Sequence, residues 1–71
     1  MFYYDVVKST YNDDLTVRYD SELVSGGYND EDEAYQMARE LIWENELKDN
    51  EVYEVEQRYE DSGLLECIIE V

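Results

Sequence analysis

Apolar and polar positions alternate along this chain with a period that changes, and the changes mark out five elements. Phe2 to Thr10 is rich in aromatic and β-branched residues and reads as a strand. Tyr11-Asn12-Asp13-Asp14 reads as a turn, because Asn and Asp side chains bond local backbone and tolerate unusual angles. Strict alternation follows: Leu15, Val17, Tyr19 and Leu23 share one face, and Thr16, Arg18, Asp20 and Glu22 share the other, as in a half-buried strand. Gly26-Gly27 interrupts it.

The period then becomes helical. Asn29 suits the N-cap, with Asp32 three residues on to serve free amides, and Asp30, Glu31, Asp32 and Glu33 occupy a first turn that favours negative charge. The spacing predicts a helix to about Leu47 or Lys48. Ala34, Met37, Ala38, Leu41 and Ile42 form its apolar stripe, and Glu44 and Lys48 form an i,i+4 pair. Asp49-Asn50 closes the helix. A third strand, Glu51 to Tyr59, turns Tyr53, Val55 and Tyr59 inward and Glu54, Glu56 and Arg58 outward. After the turn at Asp61-Ser62-Gly63, a fourth strand places Leu65, Cys67, Ile69 and Val71 inward, with Leu64, Glu66, Ile68 and Glu70 outward.

These elements specify an α+β fold: a two-layer β-β-α-β-β arrangement with one helix packed on a four-stranded, mainly antiparallel sheet. The expected strand order is 2-1-3-4. Residues 1–71 are enough for one domain with one modest core, whose net stability is a few kcal/mol at most.

Charge changes the picture more than any motif does. Twenty Asp and Glu face five Lys and Arg, a formal charge of −15 with no histidine. Self-repulsion on that scale favours solubility and opposes compaction. It argues against direct binding to nucleic acid or an anionic membrane, where affinity rests on Lys and Arg neutralising phosphate. No apolar run is long enough to span a bilayer, and MFYYDVV lacks the basic start of a signal peptide. Cys67 is the only cysteine; in the run LLECIIEV it reads as a small core hydrophobe, in keeping with a reducing cytoplasm.

On the alternation above, Asp20, Glu22, Glu54, Glu56, Glu66 and Glu70 gather on the sheet face away from the helix, opposed only by Arg18 and Arg58. Acids two apart on a strand repeat at about 6.6 Å, a spacing like that of phosphates along a nucleic-acid strand. A wet outer sheet face accounts for the same pattern without any partner. Trp43 falls opposite Ala34 on the outer helix face, near Asp32, Gln36, Glu40 and Leu47, as a candidate interface anchor. A helix that ended early would instead fold Trp43 under the sheet edge. Of the eight tyrosines, Tyr19, Tyr53 and Tyr59 suit the core; Tyr3 or Tyr4, Tyr11 and Tyr28 suit an exposed binding surface.

Little points to catalysis. The commonest general base is missing, and one helix on one sheet offers little concavity. The oxygen-rich segment Asn29 to Glu33 lacks the glycine of a calcium loop, zinc lacks Cys and His ligands, and no phosphate loop is present. No enzyme activity, metal or cofactor is expected.

The acidic helix start NDEDEAYQMARELIWENE and the Glu-alternating strands VYEVEQRYE and LLECIIEV resemble in type the small phage-encoded inhibitors. These include DNA-mimic proteins, the phage inhibitors of uracil-DNA glycosylase and many anti-CRISPR proteins. The resemblance covers the whole chain as a class likeness and carries no diagnostic motif. It implies a protein-binding inhibitor in the cytoplasm of an infected bacterium. Such a protein presents carboxylates to a basic nucleic-acid-binding protein: a CRISPR effector, a restriction enzyme or a glycosylase. The partner-binding residues it points to are Asp20, Glu22, Asp32, Glu40, Trp43, Glu54, Glu56, Glu66 and Glu70. The other reading of the same residues is an interaction or regulatory module without mimicry, self-associating as a homodimer through Leu64 and Ile68.

Overall fold

Four antiparallel strands form one sheet in the order β2-β1-β3-β4, with a single helix across one face, in a computed structural model that describes residues 1–71. The elements are β1 (Phe2–Tyr11), β2 (Arg18–Tyr28), α1 (Glu31–Glu44), β3 (Glu51–Tyr59) and β4 (Leu65–Glu70). This is the expected α+β architecture, β-β-α-β-β, with the expected strand order. No helix is long and apolar enough to cross a membrane.

The helix seats two alanines, Ala34 and Ala38, against Val6 of β1 and Tyr53 and Val55 of β3. Small side chains at the contact let the helix axis approach the sheet closely. Tyr4, Tyr28, Met37, Leu41, Leu47, Ile69 and Val71 pack around this centre. Asp30, not Asn29, is the N-cap: its carboxylate accepts the Asp32 amide at 2.8 Å. The helix also stops short of Leu47. Asn45 adopts extended backbone, and both its amide N–H and its side-chain Nδ2 donate to the Leu41 carbonyl, closing the last turn. No basic residue sits in that turn to offset the dipole. Ile42, expected in the stripe, is therefore left exposed near the end, while Leu47 folds back onto the core as part of the connection to β3.

The β1–β2 connection departs most from the expected pattern. Asn12 Oδ1 accepts the amides of Thr16 and Val17 at 2.7 and 3.0 Å, so those donors are not free to extend the ladder. Leu15 sits at φ 60°, a left-handed conformation rare for a branched side chain. The strand thus begins at Arg18, and register shifts in the β1–β2 pairing undo the simple alternation. Leu15, Val17, Tyr19 and Leu23 do not turn into the core; Tyr19 is 71 % exposed and Leu23 63 %. Gly26-Gly27 does not break the chain either. β2 runs through both to Tyr28, and Gly27, at φ 79°, donates its amide to Asp5 Oδ1 at 3.0 Å.

Lengths explain the modest core. Fourteen helical residues span about 21 Å, whereas the eleven of β2 span about 36 Å. The helix covers the middle of the sheet around Val6 and Val55, while Leu15, Val17 and Tyr19 beside the Asn12 turn stay exposed.

Candidate partner-binding surface

The sheet face away from the helix is built from β1, β2 and β3 together. Cross-strand partners share a face, so Asp5–Glu56 and Val7–Glu54 place these acids beside Asp5, Val7, Ser9 and Tyr11. Lys8 is paired with both Tyr53 and Glu22, which puts Glu22 on the helix side, and Asp20 opposite Thr10 follows it there. The six expected acids therefore do not form one row. Asp20 and Glu22 lie on one face, with Glu22 ion-paired to Lys8 at 3.8 Å, and Glu54, Glu56 and Glu70 lie on the other. Glu66 falls at an irregularity between the Gln57–Cys67 and Arg58–Leu65 pairs, where it accepts the Tyr59 hydroxyl. That bond pushes the exposed Tyr59 phenol above its ordinary pKa.

Glu54 and Glu56 point outward as the alternation requires, yet they are only 5 % and 3 % exposed. Two arginines drape over them. Arg18 of edge strand β2 reaches across β1: its Nε donates to Ser9 Oγ at 3.0 Å and its Nη1 lies 2.9 Å from Glu56 Oε2. Arg58 contacts Glu56 Oε1 through Nη2 at 2.9 Å, Asp5 through Nε at 3.8 Å, and donates Nη1 to the Gly63 carbonyl at 2.8 Å. The hydrogen bond to Glu56 raises the already high Arg58 pKa. Tyr11 completes the network by donating its hydroxyl to Glu54 Oε2 at 2.7 Å. That bond, then burial, then the Glu54 charge itself all hold the Tyr11 proton and raise its pKa. Two atoms in this region have no hydrogen-bond partner, Arg18 Nη2 and Glu54 Oε1.

Carboxylates on the middle of this face are thus neutralised within the chain and are not offered to solvent. The sequence sets Arg18 and Arg58 against these acids but does not reveal that they enclose them, and it gives no role here to Asp5, to the Tyr11 hydroxyl or to the fully buried Ser9. The available signal was two arginines sharing strand phase with the acids, together with a small Ser9 between the larger Val7 and Tyr11. Tyr11 and Tyr28, expected on the surface, are half-buried; Tyr28 packs on the core and shares a 2.6 Å hydrogen bond with Ser25. Cys67 is exposed, with Gln57 beside it, and is not a core residue. Leu65, expected inward, pairs with Arg58 and is exposed.

On the sheet itself Asp20 and Glu70 face water unpaired, and most of the remaining unpaired charge lies outside the sheet. Asp13 and Asp14 mark one turn, Asp30 to Glu33 the helix start, Glu40, Glu44 and Glu46 the helix end, and Glu60 and Asp61 the last turn; all are exposed and none is in an ion pair. Lys8, Arg18 and Arg58 are occupied by acids of the sheet, and Arg39 lies over the Tyr35 ring at 5.9 Å. On the outer helix face Trp43 is 82 % exposed. Asp32 and Glu40 share the helix's solvent side with it.

One concavity exists, a pocket of about 260 Å³ lined by Tyr11, Leu15, Val52, Tyr53, Glu54, Glu70 and Val71. No group of three or more His, Cys, Asp or Glu side chains is placed to hold a metal ion. No protein-family model, curated protein or solved structure matches this chain.

Proposed function

We propose that the protein is a binding inhibitor that docks on a basic nucleic-acid-binding protein and competes there with nucleic acid. The observation that carries this reading is Trp43, 82 % exposed on a helix whose flanking acids are all unpaired. A bare indole costs solubility and contributes nothing to the core, but it anchors an interface well. The acids around it steer association toward positive charge and disfavour neutral or acidic surfaces. Under this reading the contact surface is the outer face of α1, with Asp32, Glu40 and Trp43, continued by the acidic turns. It is not the row of Glu54 and Glu56. The partner belongs to the class of CRISPR effectors, restriction enzymes and DNA glycosylases, and the effect is anti-defence.

The test is displacement of a labelled DNA duplex from a panel of such enzymes, read by fluorescence anisotropy at low and high salt. Wild type should displace the duplex from at least one of them, with affinity falling steeply as salt rises, and Trp43→Ala should lose displacement while keeping its circular dichroism spectrum. Displacement from none of the panel, joined with no nucleic-acid-binding protein among salt-released captures from bacterial lysate, overturns it.

The free edge of β2 supports a second reading, self-association. It is the outer strand of the sheet and carries exposed Tyr19, Leu23 and Val24. Light scattering separates the two, since an apolar dimer persists as salt rises.

A further inference from the structure

Of the two strands at the edges of the sheet, β4 is the less guarded. β2 carries register shifts at three places, which bend its free edge out of line. β4 has one, at Glu66, and pairs with β3 without interruption from Cys67 to Glu70. It contains neither Pro nor Lys, the residues that most often block strand addition. The helix lies over β1, β2 and β3 and does not reach β4. The helix-side row of this strand is therefore covered only in part: Ile69 and Val71 are half-buried against the core, and Cys67 is exposed.

An open row on an open edge is completed by another strand, and the order of residues in β4 fits a second copy of itself. A two-fold axis normal to the sheet pairs helix-side residues with helix-side residues. Set at Ile69, it places Ile69 against Ile69 of the second copy, Cys67 against Val71, and Ile68 against Glu70. The apolar row then continues from one copy into the other, and no acid faces an acid. Neighbouring registers lack this property. An axis at Ile68 opposes Glu66 to Glu70, and an axis at Glu70 opposes that residue to itself; like charges directly opposite are destabilising. An axis at Cys67 runs the pairing through the irregularity at Glu66, beyond which Leu65 pairs with Arg58 on the outward face.

We propose that β4 pairs antiparallel with β4 of a second copy about a two-fold axis at Ile69, joining two four-stranded sheets into one of eight strands. The dimer goes beyond the inhibitor reading and is compatible with it. Both helices lie on the same face of the joined sheet, and the outer surface of α1 with Trp43 stays uncovered. Main-chain hydrogen bonds supply the attraction, and a formal charge of −15 on each copy opposes it. Salt therefore strengthens this contact, the reverse of its effect on a basic partner.

The experiment combines sedimentation equilibrium of the full chain at low and high salt with thiol cross-linking. Wild type should show a concentration-dependent monomer–dimer equilibrium that tightens about fivefold at high salt. Val71→Cys sets a thiol opposite Cys67 of the second copy, within reach of a disulfide, and should give a covalent dimer under mild oxidation. Wild type and the double variant Val71→Cys, Cys67→Ser should not, because their single thiols stand about 13 Å out of line across the axis. A monomer at every concentration and salt overturns the proposal. So does a wild-type chain that cross-links as readily as Val71→Cys, which places the axis at Cys67. A dimer in which Val71→Cys stays uncross-linked overturns it too, since the contact then lies on another surface. Trp43→Ala should leave the dimer intact while removing DNA displacement, so the two readings fail separately.

Discussion

Arg18 on β2 and Glu56 on β3 make a 2.9 Å ion pair although β1 runs between their strands. The guanidinium crosses β1 at Ser9, whose hydroxyl accepts Nε on the way. A larger side chain at position 9 would occupy that path. The pair sits in a nearly dry region, so its attraction is offset by the cost of desolvating both charges; the greater effect comes from breaking it.

Removing one partner is therefore the sharp test. Arg18→Met should lose about 3–5 kcal/mol by leaving Glu54 and Glu56 buried against one remaining arginine. For a domain this small that approaches complete unfolding at 25 °C. The double variant Arg18→Met, Glu56→Met should recover most of the loss. Urea unfolding followed by circular dichroism reads both. A single variant as stable as wild type would show that water reaches these acids after all.

Tyr11 makes stability depend on alkaline pH. Its folded-state pKa is raised above the ordinary value of 10.0, first by the hydrogen bond to Glu54. The folded state thus holds the proton more tightly than the unfolded state does. The resulting stability is fully present below pH 10 and is lost as pH rises through the folded pKa. Melting temperature should fall more steeply above pH 10 in wild type than in Tyr11→Phe. At neutral pH, Tyr11→Phe should cost about 1–2 kcal/mol, because Glu54 Oε2 loses its donor. Parallel alkaline curves for the two proteins would contradict this.

Gly26 and Asp5 are coupled by space. A Cβ at position 26 would stand 2.6 Å from Asp5 Oδ1, and Asp5 is held by the Gly27 amide and Arg58. Gly26→Ala should cost about 1–2 kcal/mol in wild type, as overpacking does. It should cost clearly less in an Asp5→Ala background, and a double-mutant cycle by chemical denaturation measures the difference. Strict additivity would mean the carboxylate is free to move aside.

Much of the architecture was legible in the sequence because the relevant signals are local. Tyr53 and Val55 alternate with Glu54 and Glu56, Ala34 and Ala38 recur at helical spacing, and the Asp61-Ser62-Gly63 turn pairs β3 with β4. What escaped depends on contacts across strands. The phase of β2 is set by bulges against β1, so Asp20 and Leu23 lie on faces opposite to those a uniform alternation assigns. Outward direction on a strand also does not mean exposure: Glu56 faces away from the helix and is still enclosed, because arginines from β2 and from its own strand lie over it. Helical spacing puts Trp43 on the outer helix face, and it is there, 82 % exposed; the helix does end early, at Asn45, but that end does not fold Trp43 under the sheet edge.

The mismatch in length between α1 and the sheet has a dynamic consequence. Hydrogen bonds near Val6 and Val55 are shielded by the helix, whereas those at Arg18 and Asp20 lie at the end of the β1–β2 ladder, beside the exposed Asn12 turn. Opening should begin at that end and travel inward. Amide protection would then form a gradient along β1 and not a plateau. The pocket wall that includes Tyr11 and Leu15 lies at the loose end of that gradient, so it should open and close while the helix-bound half of the molecule stays fixed.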